Sequence, residues 1–358
     1  MKAGVYRDVL LDSPGPSWID DVCIRTDLAP DYRSATVRVH IAAAGGRSTA
    51  QWTLTDPTGR EIAKGTTDVP STGADIAIPL QDAKFWWPRM HGEANLYGLD
   101  IAVGSGEHIL DHRHIPFGLR EIKPVLLDPA TGEKRFRFDI NGRPIFLRGG
   151  DWAPLEGLTN VWQPDRAKQL LDLAEHGNMN VIRVWGEGVL PVDSFYEECD
   201  RRGILVWQDF MFGWYDHRRG DTAFLDNCRA EVEQLIRRLR NHPCLLLGVG
   251  GNEQYLWTPT GSVSDAKRAI FEELLPEACQ RLDPTRIFHI SSPYGGSPTG
   301  NWPLEGDWHD YTTINWRSRS PFRRQSRSAA STSRPSARSP CDRNSSVRLM
   351  AAGNPRCS

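Results

Sequence analysis

Asn252 and Glu253 directly follow Cys244–Val249, an apolar run of strand length that Pro243 precedes and Gly250-Gly251 closes. A carboxylate delivered to the carboxyl end of a buried parallel strand is where α/β barrels keep their catalytic groups. A solvated loop glutamate is the competing reading, because surface Glu is the common case. The surrounding elements have to decide between them.

Residues 18–115 show short strands separated by turn signals, among them Val22–Thr26, Ala35–Ile41, Ala50–Thr55, Ile76–Pro79 and Leu96–Val103. Val37, Val39 and Ile41 alternate with Arg38 and His40, the period of a sheet with one wet face. D-P-T-G at Asp56–Gly59 reads as a turn. A segment of this kind predicts a β-sandwich. Beyond it, Phe136–Ile140 and Pro144–Leu147 flank Asn141-Gly142, a hairpin signal because both residues tolerate positive φ. Strands and helices then alternate. The helices are Asp165–His176, stopped at Gly177, then Val192–Arg202, closed by Gly203, then Thr222–Leu239 and Ser264–Leu282. The strands between and after them are Val181–Trp185, Ile204–Gln208, Cys244–Val249 and one near Ile287–Ser291. Such spacing implies βαβ crossovers and a parallel sheet. G-G-D-W at Gly149–Trp152 is not the glycine-rich phosphate loop of an open doubly wound sheet. A barrel is the better fit, with too few strands to close it.

The formal net charge of −2 conceals an asymmetry. Residues 317–358 hold ten Arg and one acid, Asp342, whereas the preceding 316 residues hold 33 basic against 44 acidic groups. An acidic body cannot displace the counterions around phosphates, so no nucleic-acid partner is expected. From Arg317 periodicity stops and Ser, Arg, Pro and Ala dominate, a composition that cannot bury a core and predicts disorder. Two origins for this tail stay open: a basic arm for an anionic surface, or out-of-frame translation after a coding lesion near Trp316. The abrupt change in mid-barrel and the absence of Glu favour the second. The seven Cys show no C-x-x-C and no metal-ligand spacing, so neither a disulfide framework nor a metal site is expected. Cys199, Cys228, Cys244 and Cys279 fall on predicted apolar faces, where free Cys packs as a small hydrophobe. No cofactor is expected. The N-terminus lacks an apolar h-region and no membrane-length apolar run follows. No membrane partner is therefore expected, and the cytoplasm is the default location.

Four segments in order carry a resemblance: F-D-I-N-G-R-P-I-F-L-R-G-G-D-W, N-V-I-R-V-W-G-E-G, F-Y-E-E-C-D-R-R-G-I-L-V-W-Q-D-F-M-F and R-N-H-P-C-L-L-L-G-V-G-G-N-E. Together they resemble the catalytic barrel of glycoside hydrolase family 2, in its β-mannosidase and exo-β-glucosaminidase branch. F-W-W-P-R-M-H-G-E-A-N-L-Y at Phe85–Tyr97 and P-F-G-L-R at Pro116–Arg120 are similar to the family's immunoglobulin-like domain. A-G-V-Y-R-D-V at Ala3–Val9 resembles the exit from its N-terminal sugar-binding domain. The implied architecture is multidomain, β followed by α/β. Residues 1–12 would be a remnant of the sugar-binding β-domain and 13–123 an immunoglobulin-like β-sandwich. Residues 124–316 would be an incomplete (β/α)8 TIM barrel, and 317–358 the disordered tail.

The resemblance implies a retaining exo-β-glycosidase that hydrolyses terminal β-linked sugars such as β-mannosides, using two carboxylates about 5–5.5 Å apart. Glu253 would be the acid/base. That role calls for a raised carboxyl pKa, supplied by apolar surroundings or by the second carboxylate. Asn252 would hydrogen-bond a sugar hydroxyl beside the reacting carbon. Arg183 would orient the nucleophile, or alternatively close the barrel rim as a salt bridge. Trp185 would pack on the sugar or fill the core. Asp151 and Trp152 would meet the nonreducing sugar. Asp209 would bind substrate or act as a structural acceptor, and His309, in G-D-W-H-D-Y, would be a sugar ligand. The family's nucleophile is a Glu beyond G-D-W-H-D-Y, yet no Glu follows Glu305. Asp151, Glu187, Asp209 and Asp310 do not stand at the matching position, so no nucleophile is assigned. The alternative function is an inactive fragment, at most a carbohydrate-binding remnant. An interaction protein acting through the basic tail is the reading from another class.

Overall fold

The computed structural model describes residues 9, 11, 15–46, 48–105, 108–155, 162–213, 221–256, 263–295, 300–311 and 349–350. Antiparallel sheets come first and a parallel β/α region follows. The first sheet has the order β1 (Trp18–Leu28), β2 (Ala35–Ala44), β5 (Ala74–Leu80). The second runs β4 (Glu61–Val69), β3 (Ser48–Thr55), β6 (Tyr97–Ser105), β7 (His108–Phe117). Val37, Val39 and Ile41 from the first meet Leu54, Leu99, Ile101 and Val103 from the second in one core. The alternation read along β2 therefore faces the way it predicts. Strands β4 and β7 have no counterpart in the reading above. Both are sheet edges that carry mostly exposed or half-exposed residues, so their apolar period is faint.

A three-stranded antiparallel sheet, β10 (Arg143–Ile145), β9 (Lys134–Ile140), β8 (Ile122–Leu127), leads into the second region. Its Asn141-Gly142 turn has φ of 48° and 73°, as a two-residue hairpin of the right twist requires. Asn141 has a second task. Its buried side chain accepts from the Glu121 amide and donates to the Trp86 carbonyl, tying the hairpin to the antiparallel sheets.

The parallel sheet is built from β11 (Gly149–Trp152), β12 (Val181–Val184), β13 (Leu205–Asp209), β14 (Leu245–Val249) and β15 (Phe288–His289), each beside its predecessor. The crossovers are α1 (Pro164–His176), α2 (Asp193–Arg202), α3 (Thr222–Leu239) and a composite helix. That last helix is α4 (Asp265–Lys267), a π segment over Arg268–Leu274, and α5 (Leu275–Leu282). The wide turn ends just before Pro276, whose missing N–H and bulky ring a regular α-turn cannot accommodate. Gly203 caps α2 at φ 67°, as expected. At the end of α1, however, the left-handed residue is Asn178 (φ 55°), with Gly177 at φ −75°.

Most of residues 317–358 lie outside the described residues, but Leu349–Met350 form β16 and pair in parallel with Gly149-Gly150. The free edge of β11 offers unpaired backbone groups to such an extended segment. Residues 1–12, the suggested domain remnant, also lie outside the description apart from Val9 and Leu11. Among the described residues no helix is long and apolar enough to cross a membrane.

The antiparallel sheets dock on the parallel region through polar contacts at strand starts. Asn241, just before β14, accepts from the Ile24 amide at 2.9 Å and donates to the Val22 carbonyl at 2.8 Å. Arg240 pairs with Asp21, and Arg120 donates to the carbonyls of Pro243 (2.7 Å) and Leu245 (3.1 Å). Burial lowers the Arg120 guanidinium to about 9, with the nearby Arg286 charge adding to the effect. Replacing Asn241 with Ala strands two backbone groups of β1, and a loss of about 1–3 kcal/mol in unfolding free energy is expected. Urea denaturation measures it, and an unchanged midpoint would contradict this account of docking.

Candidate active site

The described site residues gather at the carboxyl ends of β11 to β15. Gly250 and Gly251 carry the chain out of β14 through a space with no room for side chains. A Cβ at Gly250 would lie 2.1 Å from the Ile290 carbonyl oxygen, and one at Gly251 2.2 Å from that of Phe212. Asn252 then forms a bridge with Ser292, and the Glu253 amide donates to the Ser292 carbonyl at 2.8 Å. Glu253 itself has φ 55°, a left-handed conformation that a non-glycine residue holds only when its surroundings impose it.

Arg183 and Asp209 form the floor. Arg183 donates from Nε to one Asp209 oxygen at 3.2 Å and from a terminal nitrogen to the other at 2.7 Å. The same terminal nitrogen reaches Asn252 Oδ1 at 2.9 Å, and the Gly186 amide also donates to Asp209. Both partners are out of solvent, at 1% and 0% exposure. Burial pushes the Asp209 carboxyl up against the pull of Arg183, whereas the guanidinium is held protonated by Asp209 and Asp151 despite burial. These tendencies oppose each other across one ion pair. The cation decides, because guanidinium does not give up its proton in proteins, so the pair is ionised. Asn252 uses its other end to donate to Glu187 at 3.1 Å.

Glu253 lies over this floor with its side chain 23% exposed. One carboxyl oxygen accepts a short hydrogen bond from the Tyr311 hydroxyl and meets His309 Nδ1 at 3.1 Å. The raised carboxyl pKa expected above is not found. Burial does push it up, but the bonds to His309 and Tyr311 and the positive charges of His309 and Arg183 outweigh that and hold it below the usual range. A second carboxylate is the ingredient that would reverse the balance. Tyr311 is correspondingly harder to ionise, through burial and then the bond to Glu253.

The remaining expectations divide. Asp151 lies opposite Arg183 on the neighbouring strand, 3.8 Å from its guanidinium, with one buried oxygen lacking a hydrogen-bond partner. Trp152 faces the other way: it is buried against Phe195 of α2, with centroids 4.6 Å apart. Side chains alternate across a strand, so Asp151 and Trp152 cannot both line the strand-end site. Trp185 is half-buried at the end of β12. Trp207 is fully buried against Phe136 and His289.

Behind His309 stands a network the sequence reading did not assemble. Its ring nitrogen Nε2 lies 3.2 Å from the Ser292 hydroxyl, which donates to Asp307 at 2.6 Å. Asp307 also accepts from His289 Nε2 at 2.7 Å and from the Tyr294 amide at 2.8 Å. Asp307 and Tyr311 both belong to G-D-W-H-D-Y, so the motif held the signal. Ser292 and His289 lie on or just past β15, a strand only two residues long. A separate cluster brings Asp200, His242 and Cys244 donor atoms within 4.8 Å, a set that no sequence spacing would pick out. Those groups are engaged with one another: Asp200 takes hydrogen bonds from His242 and the Cys244 amide, and the Cys244 thiol points to the Tyr196 carbonyl. Burial raises the thiols of Cys199 and Cys244 well above their usual value, as befits packed, unreactive cysteines.

Residues 18–120 match the family described as Glycosyl hydrolases family 2. A β-mannosidase B of Neosartorya fischeri is 32% identical over 333 residues, covering 87% of this chain and 39% of the relative. Its counterpart in Emericella nidulans is 31% identical with the same coverage. The chain thus spans about two fifths of the length of these curated relatives. Among solved structures, a β-D-mannosidase from Dictyoglomus thermophilum superposes with a TM-score of 0.76 at 28% identity, covering 86% of this chain and 38% of that one. A β-glucuronidase from Parabacteroides merdae gives 0.64 at 19% identity, covering 76% and 34%, a likeness that bears on the fold alone.

Proposed function

The chain belongs to glycosyl hydrolases family 2, and from that premise we propose that it carries the acid/base half of a β-mannosidase-like retaining exo-glycosidase. The observation that carries this reading is Glu253 at the end of β14, in a strained conformation and hydrogen-bonded by His309 and Tyr311, beside the Asn252–Arg183–Asp209 network. The antiparallel sheets of 13–123 fit an immunoglobulin-like sandwich. The parallel strands of 124–316 fit the first five units of a (β/α)8 barrel, since their order never reverses as a doubly wound sheet's does.

In this reading Glu253 protonates the departing oxygen. Asn252, its amide fixed by Arg183 and Glu187, meets a sugar hydroxyl next to the anomeric carbon. Arg183 and Asp151 present charge to the same space, and Trp185 offers a face to the ring. His309 serves Glu253 as well as the sugar. Asp209 acts through Arg183, because both its oxygens are already bonded. The second carboxylate of the retaining mechanism is a Glu in the family, and residues 306–358 contain none. Substrate binding and acid catalysis are thus supported for this chain, and formation of a covalent intermediate is not.

Equilibrium binding of methyl β-mannoside, methyl β-glucosaminide and methyl β-glucuronide, measured by titration calorimetry, tests the sugar preference. The mannoside is expected to bind, with Asn252→Ala weakening it by about 1–3 kcal/mol. Failure of all three to bind would overturn the reading.

A further inference from the structure

Hydrogen-bond bookkeeping around His309 leaves little freedom about where its protons lie. Asp307 is buried and accepts from three donors, His289, Ser292 and the Tyr294 amide. Burial works against its charge, but His289 and then His309 outweigh it, so the carboxyl is held below the usual range and is ionised. An ionised carboxylate can only accept. The single Ser292 proton is therefore committed to Asp307, which leaves the Ser292 oxygen to accept from His309 Nε2. The imidazole cannot shift to escape this, since Asn301 bonds both backbone groups of His309, at 2.9 and 3.0 Å.

With Nε2–H fixed from behind, Nδ1 faces Glu253 Oε1 at 3.1 Å and the Tyr311 hydroxyl at 3.4 Å, and a proton held between Nδ1 and Glu253 has two positions. Either Nδ1 also carries a proton and donates to an ionised Glu253, or Nδ1 is bare and Glu253 is protonated and donates to it. Both states contain the same single proton, 3.1 Å across from nitrogen to oxygen. We propose that Asp307, acting through Ser292, is a positioning residue that makes His309 Nδ1 and Glu253 Oε1 a one-proton store for the acid step. The idea rests on the acid/base assignment of Glu253. The lowered Glu253 carboxyl fits it: the bonds from His309 and Tyr311 favour its ionised, accepting form against burial. When a glycosidic oxygen arrives, the proton passes from Nδ1 to Oε1 and on to that oxygen as the C–O bond breaks and water or an added small anion bonds to the anomeric carbon, leaving His309 neutral with Nε2–H. The reverse transfer, with water as the proton source, reloads the pair. The charged and titratable groups facing this proton are Tyr311 and Arg183 on the Glu253 side, with Asp151 beyond them, and Asp307 and His289 behind.

Nitrogen-15 NMR of histidine-labelled protein reads the arrangement directly, with His309→Gln assigning the resonance. Nε2 of His309 should be protonated at every pH at which the protein is folded, and Nδ1 and Glu253 should never both carry a proton. Asp307→Asn should invert the network. Its amide can donate to Ser292, whose hydroxyl then donates to Nε2 and forces the Nδ1–H tautomer, with loss of the Nε2–H signal. Ser292→Ala, a smaller change in a buried position, should free Nε2 without inversion. A wild-type Nδ1–H tautomer, or identical tautomers in all three proteins, would overturn the proposal. Because this readout needs no turnover, it separates from the glycosidase reading. A correct tautomer in a protein that binds no β-glycoside would uphold the lock and remove only its catalytic use, whereas sugar binding with the wrong tautomer would remove the lock alone.

Discussion

Azide or formate should restore cleavage of aryl β-mannosides by this chain, with little release in their absence. The family's second carboxylate has no counterpart among residues 306–358. In a retaining glycosidase that group attacks the anomeric carbon from the face opposite the leaving oxygen. Residues 306–358 contain no Glu, but Glu253 and the groups that hold it are in place. A small anion can then attack in the carboxylate's stead. The new C–N or C–O bond forms on the α face, the aryl oxygen leaves with a proton from Glu253, and the product with azide is the α-glycosyl azide. Leaving group and pH dissect the contribution of Glu253. For phenols of high pKa, Glu253→Gln should lower the rescued rate by about 10²–10⁴, the usual worth of a general acid. For dinitrophenol, which departs without a proton, the same substitution should cost little. Because the Glu253 carboxyl is held below the usual range, its protonated fraction is small at neutral pH. The rescued rate with poor leaving groups should therefore climb as pH falls. Product analysis by NMR and initial rates from phenol release are the measurements. Vigorous hydrolysis without added anion would show that another group of this chain serves as nucleophile, and no rescue with any leaving group would sink the acid/base reading.

The parts of this site that were legible in sequence are those that local pattern determines. Helix α3 spans Thr222–Leu239 as its apolar face predicts, and the strand before Asn252-Glu253 differs from its expected bounds by one residue. Hydrophobic periodicity and strand-ending glycines act over a few residues, so a single chain displays them. Three things were not legible, each for a physical reason. Edge strands such as β4 bury little and so show little pattern. Trp152 and Asp151 both end one strand, so local pattern groups them, although the two-residue period sends them to opposite faces. The Glu253 carboxyl was expected to be raised, yet its direction depends on His309 and Tyr311, 56 and 58 residues away, and on whether a second carboxylate is present. Long-range electrostatics has no local signature. Arg183, read either as a rim salt bridge or as an orienting group, makes a salt bridge to Asp209 and also donates to Asn252, so one guanidinium ties two strand ends together.

That double duty makes Arg183→Met the substitution expected to cost most in stability, about 3–5 kcal/mol near neutral pH. Met fills much of the same volume, so the loss is mainly electrostatic. Asp209, at 0% exposure, would keep only the Gly186 amide as a donor to its charge, and Asn252 Oδ1 would lose its partner. The pH dependence follows from the sign of the shift. Burial already raises the Asp209 carboxyl with Arg183 present, and removing the cation raises it further. A group whose folded pKa exceeds its unfolded value contributes fully below the unfolded pKa, and that contribution is lost as pH rises to the folded one. The variant should therefore approach wild-type stability toward the acid end of the carboxylate range and fall behind as pH rises. Adding Asp209→Leu removes the stranded charge, so the double variant should recover much of the loss at neutral pH. Urea unfolding of the three proteins across pH measures both effects. If the single variant lost stability equally at all pH values, the damage would lie in packing, and the ionised pair would not be what the strand ends are built around.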